Sequence, residues 1–80
     1  MANHGLLDRH AADDLRAFVL TYYFNIRSTQ DKILTAALYE LVSKDLGISL
    51  ITARDMTSEL IANTTDPVEF LKKIRIHQAQ

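Results

Sequence analysis

The chain has 80 residues, of which 48% are hydrophobic, a formal charge of -1 at pH 7, and no cysteine. A chain of this length forms one domain, and most of its apolar residues must share a single core. The absence of cysteine excludes disulfides and thiolate sites and fits a reducing cytoplasm. The near-neutral charge gives no overall attraction to phosphate or to anionic membranes.

Few segments of the sequence interrupt a helix. The strongly apolar run at residues 17–24 is shorter than the ~20 residues that a membrane span needs, and charged residues at 8–10 exclude a signal peptide. With two glycines and one proline, the chain favours a few helices over many short strands. We therefore expect a soluble, cytoplasmic, all-α domain of about four helices over residues 1–80, frayed at about 1–5 and 78–80.

The first predicted helix covers residues 7–26. Its apolar residues recur every three or four positions, and they are Ala11, Leu15, Phe18, Val19, Tyr22 and Ile26. The second half of this helix is apolar almost all round, with Leu20 and Phe24 on a further side. This pattern favours a central helix packed from several directions over a dimer surface.

Two more helices are predicted between residues 28 and 61. Ser28 is the expected cap of the second helix, which runs to about Leu46. Its apolar stripe comprises Ile33, Leu34, Ala37, Leu38, Leu41 and Val42. Gly47 fits the left-handed position just past a helix end, and Ser49 is the expected cap of the third helix. The inward residues of the third helix are Ala53, Met56, Leu60 and Ile61.

The clearest start signal lies at residues 66–69. Asp66 as cap, Pro67 in the first helical position and Glu69 three beyond the cap predict a last helix. This helix is expected to run to about residue 77. Its inward side chains would be those of Val68, Leu71 and Ile74.

Residues 43–60, SKDLGISLITARDMTSEL, have the spacing of a helix-turn-helix. Ser43 is the small residue of the first helix, Gly47 lies at the turn four residues later, and Ala53 follows after six more. This string resembles the helix-turn-helix core of GntR-type transcription regulators, through its LGIS turn, its threonine at 52 and its closing Glu-Leu.

The resemblance implies a small regulator that binds double-stranded DNA. By that likeness Ser49 and Thr52 contact phosphates and Arg54 contacts a base edge or a phosphate. The basic residues of the last helix would then contact the flanking backbone, and they are Lys72, Lys73 and Arg75. Because one short helix with few cations binds weakly, we expect a homodimer on DNA.

The sequence also departs from the GntR pattern. A further helix replaces the two-stranded wing, Asp55 stands where a basic residue is common, and Thr57 where an apolar one is usual. Residues 45–63 carry one basic and three acidic residues, a local charge of -2. Since Lys and Arg contacts to phosphate dominate affinity for DNA, this charge disfavours binding.

A second interpretation stays open beside DNA binding. The LGIS stretch also serves as an ordinary corner between packed helices, and Leu50 and Ile51 would then project outward as an apolar pair. That arrangement predicts a helical protein-interaction module, such as an immunity, anti-repressor or adaptor protein, with no DNA binding. The three cations of the last helix would then form only a solvated face.

The sequence offers no pattern for catalysis. His4, His10 and His77 lie near the ends, without ligand spacing repeated across two helices. Asp13 and Asp14 point about 100° apart on a helix, which is poor geometry for sharing a proton. The chain also lacks a glycine-rich phosphate loop. We therefore expect neither an enzyme nor a metal or cofactor site.

Overall fold

A computed structural model describes the backbone of residues 2–79 and the side chains of residues 11–76. It contains four helices, α1 (Ala2–Thr29), α2 (Lys32–Leu46), α3 (Leu50–Asn63) and α4 (Pro67–Ala79), and no strand within this part of the chain. α1 packs against α2 and α4, and α3 packs against α2 and α4. The predicted all-α domain of four helices is confirmed. None of the described helices is long and apolar enough to cross a membrane.

α1 is longer than the sequence predicted, beginning five residues earlier and ending three later. The fraying predicted for the chain ends stays a prediction, because Met1 and Gln80 lie outside the described residues. The side chains of His4, His10 and His77 lie outside them too, so the expectation of no metal site at the histidines is also untested.

The buried residues of α1 follow each other at intervals of four residues, except for the last interval, which is three. They are Ala11, Leu15, Val19, Tyr23 and Ile26. The prediction that Tyr22 points inward is wrong: Tyr22 is exposed, and its ring lies 5.0 Å from the ring of Phe18. Tyr23 occupies the core position because it lies four residues after the buried Val19 and therefore shares its face of α1. Tyr22, one residue earlier, points about 100° away.

The connection between α1 and α2 consists of Gln30 and Asp31. Asp31, and not the predicted Ser28, caps α2: its carboxylate accepts hydrogen bonds from the backbone N–H groups of Ile33 and Leu34, at 2.9 and 3.0 Å. Ser28 still belongs to α1, so it cannot cap the next helix. Ile33, predicted in the apolar stripe, is 82% exposed because the stripe begins one residue later, at Leu34.

The corner between α2 and α3 forms as predicted. Gly47 adopts φ 66° and ψ 38°, the left-handed conformation that a residue without Cβ adopts freely. The Ser43 hydroxyl donates to the carbonyl oxygen of Ile48 at 2.6 Å. Ser49 caps α3 and accepts a hydrogen bond from the backbone N–H of Thr52 at 3.2 Å. Short-range contacts therefore determine this corner.

Side chains of α1 and α4 form hydrogen bonds with the connection between α3 and α4 and with the end of α3. The Tyr23 hydroxyl donates to the buried carbonyl oxygen of Thr64 at 2.6 Å. The Lys73 ammonium donates to the Thr64 hydroxyl at 3.0 Å, and the Arg27 Nε donates to the carbonyl oxygen of Ile61 at 3.1 Å. These bonds fix the C-terminal end of α3 in place.

α4 begins at Pro67 as predicted, and the Asp66 carboxylate accepts a hydrogen bond from the backbone N–H of Glu69 at 3.0 Å. Its buried face differs from the prediction. Phe70 is fully buried, with its ring 5.0 Å from that of Tyr23, whereas Val68 is half exposed. The reason is register, since Phe70 and the buried Ile74 are four residues apart and Val68 lies on another side.

α3 contributes both predicted and unpredicted residues to the core. Ala53 is fully buried, and Met56, Leu60 and Ile61 pack against the core cluster as expected. Thr57 is also fully buried, although its side chain is polar. Its hydroxyl has no hydrogen-bond partner among the described residues.

Candidate binding surfaces

The outer face of α3 is the first candidate site. We define it by the exposed residues that extend from the cap to the third turn, which are Ser49, Leu50, Ile51, Thr52, Arg54, Asp55, Ser58 and Glu59. Ala53 and Thr57 of the same helix point into the core, whereas the side chains of these residues are exposed. Leu50 is 51% exposed and Ile51 is 66% exposed, so two large apolar side chains are in solvent in the first turn of α3.

The charges on this face are mainly negative. Arg54 Nη2 lies 3.5 Å from Asp55 Oδ1, and both side chains are largely exposed. Glu59 lies one helical turn beyond Asp55, so this face carries two carboxylates and one guanidinium. Exposed ion pairs of this kind add little to stability, which leaves these charges available to a partner.

The hydroxyl groups at the start of α3 bond to each other. Ser49 Oγ donates to Thr52 Oγ1 at 2.8 Å while it accepts from the Thr52 backbone N–H. Both side chains are exposed beside the free amides of the first helical turn. Their place at the start of a helix is where side chains and amides contact a phosphate in a helix-turn-helix.

The basic residues of α4 lie far from the start of α3. Lys73 is bound to Thr64, which lies twelve residues after Thr52 and therefore ~18 Å along the axis of α3. Lys72 and Arg75 line a shallow groove against α1, together with Arg16. The six residues predicted for DNA binding are thus divided between the N-terminal half of α3 and two parts of α4.

The α1–α4 groove is the second candidate site and was not predicted from the sequence. It has a volume of about 250 Å³ and is lined by Arg16, Leu20, Val68, Leu71, Lys72 and Arg75. None of its three cations has an ion pair or a side-chain hydrogen bond within residues 11–76. The two helices run antiparallel, since Tyr23 lies opposite Phe70 and Arg16 shares the groove with Arg75. The cations therefore gather toward one end of the groove.

A wider groove lies between the end of α1 and the facing sides of α2 and α3. Its volume is about 690 Å³, and its lining comprises Ile26, Gln30, Lys32, Thr35, Ala36, Tyr39, Arg54, Ser58 and Ile61. This volume is within the range of small-molecule sites. The lining combines apolar side chains with two cations, Lys32 and Arg54, which lie on different helices.

Among the side chains of residues 11–76, the titratable group whose pKa is clearly shifted is the Tyr23 hydroxyl, which lies away from these surfaces. Burial raises the pKa of Tyr23 to about 12, against a smaller lowering effect of the Arg27 charge. Its hydroxyl serves to hold Thr64 and is enclosed in the core. Within residues 11–76, no three histidine or carboxylate side chains come together in a way that could hold a metal ion.

No protein-family model, curated protein or solved structure matches this chain. The likeness of residues 43–60 to GntR-type regulators accordingly stays a prediction.

Proposed function

We propose that this chain is a protein-interaction module that binds a partner through the outer face of α3. The observation that carries this proposal is the exposure of Leu50 and Ile51, neighbours in the first turn of α3. Burying both side chains under a partner would remove apolar surface from water, at about 25 cal/mol per Å². The module needs no cofactor and no catalytic group, and the lack of cysteine is in keeping with a cytoplasmic location.

The charges on the outer face of α3 indicate which kind of protein surface would match it. Asp55 and Glu59 lie one and two helical turns after Ile51, and Arg54 is already paired with Asp55. The matching surface is therefore apolar with basic residues at its edge, because opposite charges steer and orient an encounter. A polyanion such as DNA would meet two carboxylates on this face.

DNA binding is the second candidate, favoured by one specific observation. The left-handed turn at Gly47 and the capped start of α3 support this candidate, because a helix-turn-helix uses residues such as Ser49 and Thr52, at the start of its second helix, to contact phosphate. In this alternative Arg54 contacts a base edge or a phosphate. A homodimer would add the flanking contacts of the α4 cations, which are Lys72, Lys73 and Arg75.

Selection from a random peptide library displayed on phage tests the leading proposal. We expect the purified protein to enrich peptides that combine apolar and basic residues, and Leu50→Asp to abolish their binding. Ile33→Asp is the matched control, since Ile33 is also exposed but lies on α2. Peptides that bind the Leu50→Asp variant as well as the wild type would contradict the assignment of α3.

The same preparation tests the second candidate by fluorescence anisotropy with mixed duplex DNA at ~50 and ~200 mM salt. Phosphate contacts predict that the affinity for the duplex falls steeply between these two salt concentrations. DNA binding that Arg54→Ala removes, with unchanged circular dichroism, would displace the leading proposal. Absence of binding at ~50 mM salt would count against the DNA candidate.

A further inference from the structure

We propose that the partner of α3 is a second copy of this chain, whose α1–α4 groove receives the outer face of α3. This inference rests on the proposed function and names the occupant of the same face. It is carried by the match between two surfaces of one molecule. Each combines exposed apolar residues with charged ones, and the net charge of the α3 face is negative whereas that of the groove is positive.

The two surfaces share the same spacing. On α3, Ile51, Asp55 and Glu59 follow each other at intervals of four residues and therefore lie in one row along the helix. On α1, Phe24, Leu20 and Arg16 have the same interval in the reverse direction. Each row extends ~12 Å along its helix axis. In the proposed contact, the α3 row of one copy passes from apolar to acidic. It lies against the α1 row of the other copy, which passes from apolar to basic.

Apolar contacts would form at one end of this interface. Leu20 and Val68 line the groove, and Phe24 follows Leu20 by one helical turn on α1; all three are large hydrophobic residues with exposed side chains. Placing Ile51 and Leu50 against them would cover five exposed apolar side chains in one contact. Association through both surfaces thereby removes from water two patches that the monomer leaves uncovered.

Ion pairs would form at the other end. Arg16, Lys72 and Arg75 have no carboxylate partner within residues 11–76, although all three line one groove. Asp55 and Glu59 are the carboxylates of the opposing row. The two surfaces attract each other through charge as well as through apolar contact, and salt should weaken this attraction.

The predicted contact joins two different surfaces. Two molecules can exchange both contacts in a two-fold dimer, or each molecule can bind two different neighbours in a larger ring or an open chain. This property makes the interface testable with variants that each lose one surface. A molecule that keeps only its groove should still bind a molecule that keeps only its α3 face.

The test measures molecular mass by sedimentation velocity over a range of protein concentrations, at ~50 and ~300 mM salt. We expect the wild type to self-associate, more at low salt. Leu20→Asp should prevent binding through the groove, and Ile51→Asp should prevent binding through the α3 face. Each variant alone should therefore be monomeric. An equimolar mixture of the two should give a dimer that grows no further, because only one contact can form.

Two controls keep the result independent of folding. Both substituted side chains are exposed in the monomer, and circular dichroism should show wild-type helix content in each variant. Ile33→Asp makes the same chemical change as Ile51→Asp at an exposed site on α2, and it should associate like the wild type. Equal loss of association in Ile33→Asp would overturn the proposed interface.

The outcomes separate this inference from the proposed function. A wild type that stays monomeric, or variants whose mixture stays monomeric, would overturn the second copy as the partner. If peptides selected on α3 still bind in that case, the α3 face is an interaction site for a different protein and the proposed function stands. If neither self-association nor peptide binding depends on α3, both proposals fail.

Discussion

The two corners that flank α3 are built in different ways. The α2–α3 corner is closed by bonds between residues three to five apart, such as those of Ser49 with Thr52 and of Ser43 with Ile48. The α3–α4 connection is closed by bonds that span 9, 34 and 41 residues, two of which come from α1. The first corner can form from its own segment, whereas the second requires that α1 is already packed. Substitutions at the second should therefore affect the whole fold more.

The largest effect is expected from Phe70→Ala. Phe70 is fully buried against Tyr23 beside the α3–α4 connection, so its removal loses apolar burial and leaves a cavity. We expect the free energy of unfolding to fall by about 3–5 kcal/mol, measured by urea denaturation. Val68→Ala is the control on the same helix, and its half-exposed side chain should change stability far less. Similar losses for both would contradict the register described for α4.

Tyr23→Phe should have the next largest effect. The change keeps the ring but removes the hydroxyl that donates to the buried carbonyl oxygen of Thr64. Leaving that acceptor unpaired should lower the free energy of unfolding by about 1–3 kcal/mol. Tyr22→Phe removes an exposed hydroxyl one residue away and should have little effect in the same denaturation experiment.

The same tyrosine predicts a dependence on alkaline pH. The pKa of Tyr23 is raised from 10.0 to about 12 in the folded protein, so between these values the unfolded chain loses the proton while the folded chain keeps it. Stability from this group is complete below pH 10 and should decline as pH rises toward about 12. The stability difference between the wild type and Tyr23→Phe should narrow over that range. A constant difference would show that Tyr23 titrates normally.

Gly47→Ala should have a smaller effect, confined to the local corner. No atom lies within 4 Å of the position that a Cβ would take, so only the left-handed backbone opposes the change. We expect a loss of about 1 kcal/mol. Gly47→Asn should lose less, since asparagine adopts this conformation more readily. If alanine were as stable as glycine in thermal unfolding, the corner would have to form with another backbone conformation.

The difference between the corners also explains which features the sequence could predict. Gly47, Ser49 and the Asp66–Pro67 start were predicted because a cap and a helix stop depend on residues within a few positions. The cap at Asp31 was missed because Ser28 has the right residue type, and only the longer α1 removes it from that role.

The long-range features could not be predicted in this way. Nothing near Tyr23 in sequence indicates that its hydroxyl meets Thr64, and nothing near Arg16 indicates that it shares a groove with Arg75. Both depend on how α4 packs against α1. For the same reason the α3 face was recognised as a candidate surface from its own residues, whereas the α1–α4 groove was not.

The buried hydroxyl of Thr57 has a consequence for engineering. A hydroxyl that leaves water without gaining a hydrogen bond opposes folding. The chain is therefore less stable than the same fold would be with an apolar side chain at this position. Valine has nearly the same shape as threonine, so Thr57→Val should raise the free energy of unfolding by up to about 1 kcal/mol. The midpoint of thermal unfolding should rise with it. Because Thr57 points away from the outer face of α3, the variant should serve as a more robust background for every binding measurement. A lower midpoint would indicate that the hydroxyl has a partner in solution.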